Sequence, residues 1–268
     1  MVSALVKIGW YSVWRSRKSG SPLFFPLLAI AFVAIVWALR FSRHAQSPAQ
    51  AVEIYRTWSA VFLSFIVPLV SVSFGVGILR EQVESKTLVY LWTRPTGRVL
   101  PLFIKWLVAA VVFSFFASLA AAILYMGIML AHSDPKELVA SALMLGWDSA
   151  ALTVGAVVYL LLGLVFSLFG KRGMTLAISY VVLVDFLAAL LPGELRKISM
   201  KIITLSLSSS GTALSRHRGS LDLLQQQELV SVSEALFTAL VVIVLCWITI
   251  FALMQIVEIG AERAAGAT

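Results

Sequence analysis

Residues 235–257, ALFTALVVIVLCWITIFALMQIV, carry no charged side chain. As a helix rising about 1.5 Å per residue, such a stretch is roughly 34 Å long, slightly more than the ~30 Å hydrocarbon core of a bilayer. In lipid every backbone N–H and C=O must be paired within the segment, and a single apolar segment meets that demand only as a helix. Five more stretches read the same way: 22–40, 57–79, 100–130, 137–169 and 174–192. The composition agrees, with 60% hydrophobic and 13% charged residues among 268. A soluble domain carries about 25% charged residues. The chain is therefore expected to be an all-α polytopic membrane protein: one transmembrane domain, 1–268, with six spans.

The segments between the spans carry the punctuation. Residues 1–20 place Leu5 and Ile8 against Lys7, Arg15, Arg17 and Lys18, with Trp10, Tyr11 and Trp14 as interface-seeking rings. That pattern predicts an amphipathic helix lying in the membrane surface. Ser21-Pro22 and Asp134-Pro135-Lys136-Glu137 are helix starts, with a capping residue followed by proline at the first helical position. Ser231-Val-Ser-Glu234 is a capping box just before the last span. Pro68, Gly75 and Gly77 allow a kink or a close helix contact in the second span, and Ala117–Ala122 offer a small-residue packing face in the third. Gly170-Lys171-Arg172-Gly173 reads as a tight basic turn. Residues 193–234 break the apolar pattern and predict an excursion of short helices on the outer side, between spans five and six.

Basic residues in short loops set orientation. With the N-terminus inside, the inner segments carry Lys7, Arg15, Arg17, Lys18, Arg80, Lys86, Arg94, Arg98, Lys105, Lys171, Arg172 and Arg263. The short outer loops carry only Arg40, Arg43, Arg56 and Lys136, with five more basic residues in the excursion. Both termini are thus expected on the cytoplasmic side of the cell's inner (plasma) membrane. The net charge of +8 fits basic loops facing anionic headgroups, so no nucleic-acid partner is expected. The lone cysteine, Cys246, lies inside an apolar run and can form no intrachain disulfide. No small-residue cleavage site precedes the first long apolar run, so no cleaved leader is expected.

Several chemistries fail on residues. Gly163 and Gly170-Lys171 do not make a phosphate loop: the spacing is too long, and Arg172 stands where Ser or Thr must hold magnesium. An intramembrane serine protease needs a histidine in a span, whereas His44, His132 and His217 fall in polar segments. No Cys/His cluster or paired-acid motif suggests a metal. The chain is not expected to be an enzyme, and no cofactor of its own is expected. What remains is Asp148 and Asp185, two ionisable groups inside expected spans. Such groups are costly in lipid and are functional candidates by default. The competing reading is a polar residue paired across helices for packing.

The densest run of charge and turn signals lies at Leu79–Lys105, LREQVESKTLVYLWTRPTGRVLPLFIK. Glu81 to Trp92 can form a short amphipathic helix with Leu88, Leu91 and Trp92 on one face, or a charged loop. The pattern Glu84-x-x-Thr87-Leu88-x-Tyr90-Leu91-x-Thr93-Arg94-Pro95-x-x-Arg98, followed by Lys105, resembles the permeases of type-2 ABC exporters. Their segment after the second span reads E-x-G-T-L-x-x-L-L-x-x-P-x-x-R, with a lysine a few residues into the third span. Two departures are visible. Lys86 stands where the family often has glycine, and Gly9-Trp10-Tyr11 where its N-terminal helix often has a Lys-Glu pair. The resemblance implies that residues 80–99 couple to a separate ATPase subunit, which would hold ATP and magnesium. It assigns the docking to Glu81, Glu84, Thr87, Leu88, Leu91, Arg94, Pro95 and Arg98. It also implies a second permease copy, or a related permease, facing this one. Two other functions stay open: a membrane assembly or anchoring subunit, and an ion-coupled secondary transporter centred on Asp148 and Asp185.

Overall fold

The computed structural model describes residues 48–84, 100–129, 135–185, 187, 199–210 and 231–265. Among them every regular element is helical. In chain order these are α1 (Pro48–Val61), a π-helical turn (Phe62–Ile66), α2 (Val67–Glu84), α3 (Leu100–Met129), α4 (Pro135–Ser167), a 3-10 turn (Gly170–Arg172), α5 (Gly173–Ser179), a second π-helical turn (Tyr180–Asp185), α6 (Met200–Ser210) and α7 (Val232–Ala265).

Four stretches are long and apolar enough to cross a membrane: Ala51–Leu79, Leu100–Ile128, Ala142–Ser167 and Val232–Gln255. They correspond to the expected spans two, three, four and six, and make this a membrane-embedded protein. The expected interfacial helix at 1–20 and span at 22–40 lie outside the described residues. Of the expected fifth span, 174–192, the structure describes 174–185 and 187, with α5 and the π turn that follows it making an apolar helix at Gly173–Leu183 that is shorter than the four above.

Contacts fix the helix directions. Gly75 of α2 meets Gly163 of α4 backbone to backbone, and Val67 packs beside Gly155. Ser59 of α1 bonds Asp148 of α4. Advancing along α1–α2 advances along α4, so spans two and four run parallel. The intervening α3 runs the other way, with Tyr125 against Tyr55 and Phe113 against Phe74. In α7, Ala235 and Ala239 belong to the apolar cluster that holds Ala151 and Leu152, while Ile250 and Met254 belong to the one that holds Leu79 and Leu164. Span six therefore runs parallel to spans two and four. Alternate up-and-down passage demands that arrangement of even-numbered spans.

The local signals explain the ends. Pro135 opens α4. Gly170, at φ 59°, takes the left-handed conformation that turns the chain out of α4. Ser231 and Glu234 form the expected box: the Glu234 N–H donates to Ser231 Oγ (3.3 Å) and the Ser231 N–H to Glu234 Oε2 (3.2 Å).

Two boundaries differ from the sequence pattern. Span two begins its helix at Pro48, inside the stretch read as a polar connection. Ala51, Tyr55 and Ser59 recur every four residues and form one buried stripe, while Glu53 points to the exposed side. α6, read as part of an outer excursion, packs within the bundle: Ile202, Ile203, Thr204 and Ser206 are all at most 1% exposed. Thr204 faces Gly155, 3.0 Å from where a Cβ would stand. That contact lies roughly 20 Å along the apolar stretch of α4 from Ala142 at 1.5 Å per residue.

Candidate functional site

Asp148 lies one turn and a half into the apolar stretch of α4, with 4% of its surface exposed. Helical spacing on α1 puts Tyr55 and Ser59 on the face that meets it. The Tyr55 hydroxyl donates to Asp148 Oδ2 at 2.6 Å, and the Ser59 hydroxyl to the same oxygen at 2.9 Å. The Ser208 hydroxyl, from α6, donates to Oδ1. Three hydroxyls on two helices thus converge on one carboxylate carried by a third. The Arg56 guanidinium, next to Tyr55 on α1, adds a favourable charge to the carboxylate through space. The Tyr55 ring is held edge-on by Tyr125 of α3, centroids 5.5 Å apart at 85°. Leu124 and Ile128 close the apolar wall behind it.

Burying a carboxylate among apolar helices is costly unless its lone pairs are taken up. The 2.6 Å Tyr55 bond has the length of a charge-assisted hydroxyl–carboxylate bond, a kind roughly twice as strong as neutral ones. The cage therefore binds three helices at one point. Deeper along α6 the Lys201 ammonium stands 5.2 Å from the Phe65 ring centroid, over its face, and Phe65 belongs to the first π turn.

The opposite end of the bundle is aromatic. Phe103 and Trp106 of α3 and Trp247 of α7 stand 5.4–5.6 Å apart in every pairing. The Trp106 indole N–H donates to the Val157 carbonyl at 3.4 Å. Lys105, the lysine of the family pattern, is buried beside them.

Of the expected intramembrane pair, Asp148 is placed by its contacts. Asp185 ends the second π turn, and its side chain lies outside what is described. For the coupling segment, Glu81 and Glu84 fall in the last turns of α2, their side chains likewise outside. Thr87, Leu88, Leu91, Arg94, Pro95 and Arg98 lie outside the described residues.

The sequence reading missed Tyr55, Ser59, Ser208 and Lys201. The four-residue repeat of Ala51, Tyr55 and Ser59 was a usable signal for the first two. Nothing in the sequence pointed Ser208 at Asp148. Among the described residues no three His, Cys, Asp or Glu side chains converge as a metal site would require.

Comparison with protein-family models and with curated proteins finds no match.

Proposed function

We propose that the chain is the membrane-spanning permease subunit of an ATP-driven transporter of the type-2 exporter kind. A separate ATPase chain, which would bind ATP and magnesium, would dock on residues 80–99. The pattern from Glu84 to Arg98, between spans two and three, carries this reading. The continuation of α2 to Glu84 supports it, because a push on the segment would pass along a helix that packs against α4. Glu81, Glu84, Arg94 and Arg98 would make charge-assisted contacts with the ATPase. Leu88 and Leu91 would fill its groove, with Thr87 and Pro95 shaping the segment. Two copies, or this chain and a related permease, would face each other in the inner (plasma) membrane, termini in the cytoplasm.

Affinity purification of the full chain from its native membrane, read by mass spectrometry, should recover a soluble ATPase bearing a phosphate loop. In this reading both Glu84 and Arg94 would belong to a docking surface, so Glu84→Lys and Arg94→Glu should leave protein yield near normal, as surface changes costing within about 0.5 kcal/mol do. Both should lower stimulation of that ATPase or dissociate it. Variants that bind and stimulate like the unaltered chain would reduce the segment to a loop. One observation favours an ion-coupled secondary transporter instead, the buried Asp148. Transport that persists without any ATPase, yet is lost in Asp148→Asn, would select that reading.

A further inference from the structure

The Asp148 carboxylate divides its oxygens between two kinds of partner. Oδ2 accepts from Tyr55 and Ser59, on α1, and Oδ1 accepts from Ser208, on α6. The α1–α2 and α4 helices are also joined far from this point, by the backbone contact of Gly75 with Gly163. α6 has no such length to spend. It has 11 residues, fewer than the ~12–15 at which even a favourable isolated helix becomes marginal in water.

Its buried face is mixed: Met200, Ile203 and Leu207 join the main apolar cluster, and polar side chains stand among them. Lys201, Thr204, Ser206 and Ser208 all lie on this one short helix, and the first three are buried. The Thr204 hydroxyl donates back to the Lys201 carbonyl at 2.9 Å, within α6 itself. A hydrogen bond whose partners part into water is replaced by hydration on both sides, so its net contribution is modest, and larger where one partner is charged.

We infer that Asp148 is a latch: through Ser208 its Oδ1 holds α6 in the bundle, and release lets α6 leave its seat while α1, α2 and α4 stay packed. Tyr55 and Ser59 belong to the fixed side. They hold the carboxylate away from the apolar wall and aimed at Ser208. Asp148 acts here as a positioning residue, and the inference does not depend on the transporter reading.

Thiol protection tests it on the purified full chain in detergent, in a Cys246→Ser background, with a water-soluble maleimide. Ser206→Cys reports on α6 and Ala151→Cys on the α4 core; both native positions are buried. Ser208→Ala and Asp148→Leu should each speed labelling at position 206 about tenfold or more, the scale of one charge-assisted bond. Asp148→Asn, which keeps an acceptor oxygen, should fall between those variants and the unaltered chain. Tyr55→Phe removes a bond that joins α1 to α4 and does not touch α6, so it should change the rate by less than about threefold, the scale of a surface change. Position 151 should stay protected throughout. The inference is overturned if Ser208→Ala leaves position 206 protected, if Tyr55→Phe opens it as far as Ser208→Ala does, or if position 151 opens together with position 206.

Discussion

Spans two and four touch along their length, but the two ends of that contact are built on opposite principles. At one end Ser59 and Tyr55 reach Asp148 through hydrogen bonds. At the other, Gly75 and Gly163 bring the backbones together with no side chain between: a Cβ on either glycine would stand 2.9 Å from the other's Cα. Lipid is as apolar as the side chains themselves, so hydrophobic burial gives little drive for helices to associate within a membrane. What remains is close packing and hydrogen bonding, and this helix pair uses one at each end. The dry end tolerates no added atom. The polar end is held instead by directed side-chain bonds.

The first π turn keeps the two ends in register. From Ser59 to Val67 span two advances eight residues, while from Asp148 to Gly155 its partner advances seven. The turn at Phe62–Ile66 takes up the additional residue, with the Val67 N–H bonding back to Phe62 O. Phe65 is left 44% exposed on the outside of that wide turn, where Lys201 stands over its ring.

The spans also divide by burial. In spans two and four 56% of the apolar window is buried, against 28% in span three and 17% in span six. Phe115, Phe116, Phe237 and Ile248 stand on the exposed sides of the last two, as side chains that meet lipid would.

The largest effect should come from the dry end. Gly163→Val would drive a side chain into the Val72 carbonyl oxygen and the Gly75 Cα. Those are backbone atoms of a packed helix, which cannot swing aside as a flexible side chain would. A cost of about 3 kcal/mol or more is expected, at the upper end for overpacked cores. Size-exclusion chromatography after mild heating should show the variant aggregating where the unaltered chain stays monodisperse. A variant as stable as its parent would mean that the glycine contact is not what joins the spans.

Much of this architecture was legible beforehand. Apolar length alone located spans two, three, four and six, because the lipid requirement for internal backbone pairing leaves a helix as the answer. The Ser231–Glu234 box was legible because capping is local chemistry. The seat of α6 was not. Lys201, Ser206 and Ser208 look like residues of a surface segment, and only their burial and the meeting of Ser208 with Asp148, sixty residues apart, tie them to the bundle. The start of span two was missed for a related reason. Glu53 and Arg56 gave the stretch a polar composition, while the stripe of Ala51, Tyr55 and Ser59 beside them was already facing the bundle.

An intermediate effect is expected from the π turn that links the two ends. Deleting Ser64 should convert the wide turn to ordinary α-helix. Both flanking contacts keep their facing, since the additional residue is the one removed. The cost should be about 1–2 kcal/mol of local repacking, with the variant still folded and monodisperse. Deleting Val70 instead lies beyond the turn, and would rotate everything after it by about 100° relative to Ser59, one residue of a 3.6-residue turn. That variant should fail to fold. Equal outcomes for the two deletions would show that the turn does not set the register.

The smallest effect separates two glycines that look alike in sequence. Gly75 and Gly77 form a Gly-x-Gly pair, yet an added Cβ at Gly77 meets nothing within 4 Å, while one at Gly75 would run into the Leu160 carbonyl. A helical glycine that packs against nothing gains from alanine, because the unfolded chain loses freedom and the helix is favoured by up to ~1 kcal/mol. Inside lipid the helix is already enforced by its own backbone pairing, so the gain at Gly77 should be the smaller part of that, about 0.3 kcal/mol. Gly77→Ala should therefore leave the thermal midpoint in detergent unchanged or slightly raised. Gly75→Ala, the same chemical change two residues away, should lower it clearly. If both alanines behaved alike, the close approach of spans two and four would be no more than proximity. Opposite signs would tie it to the single face that Gly75 turns toward Gly163.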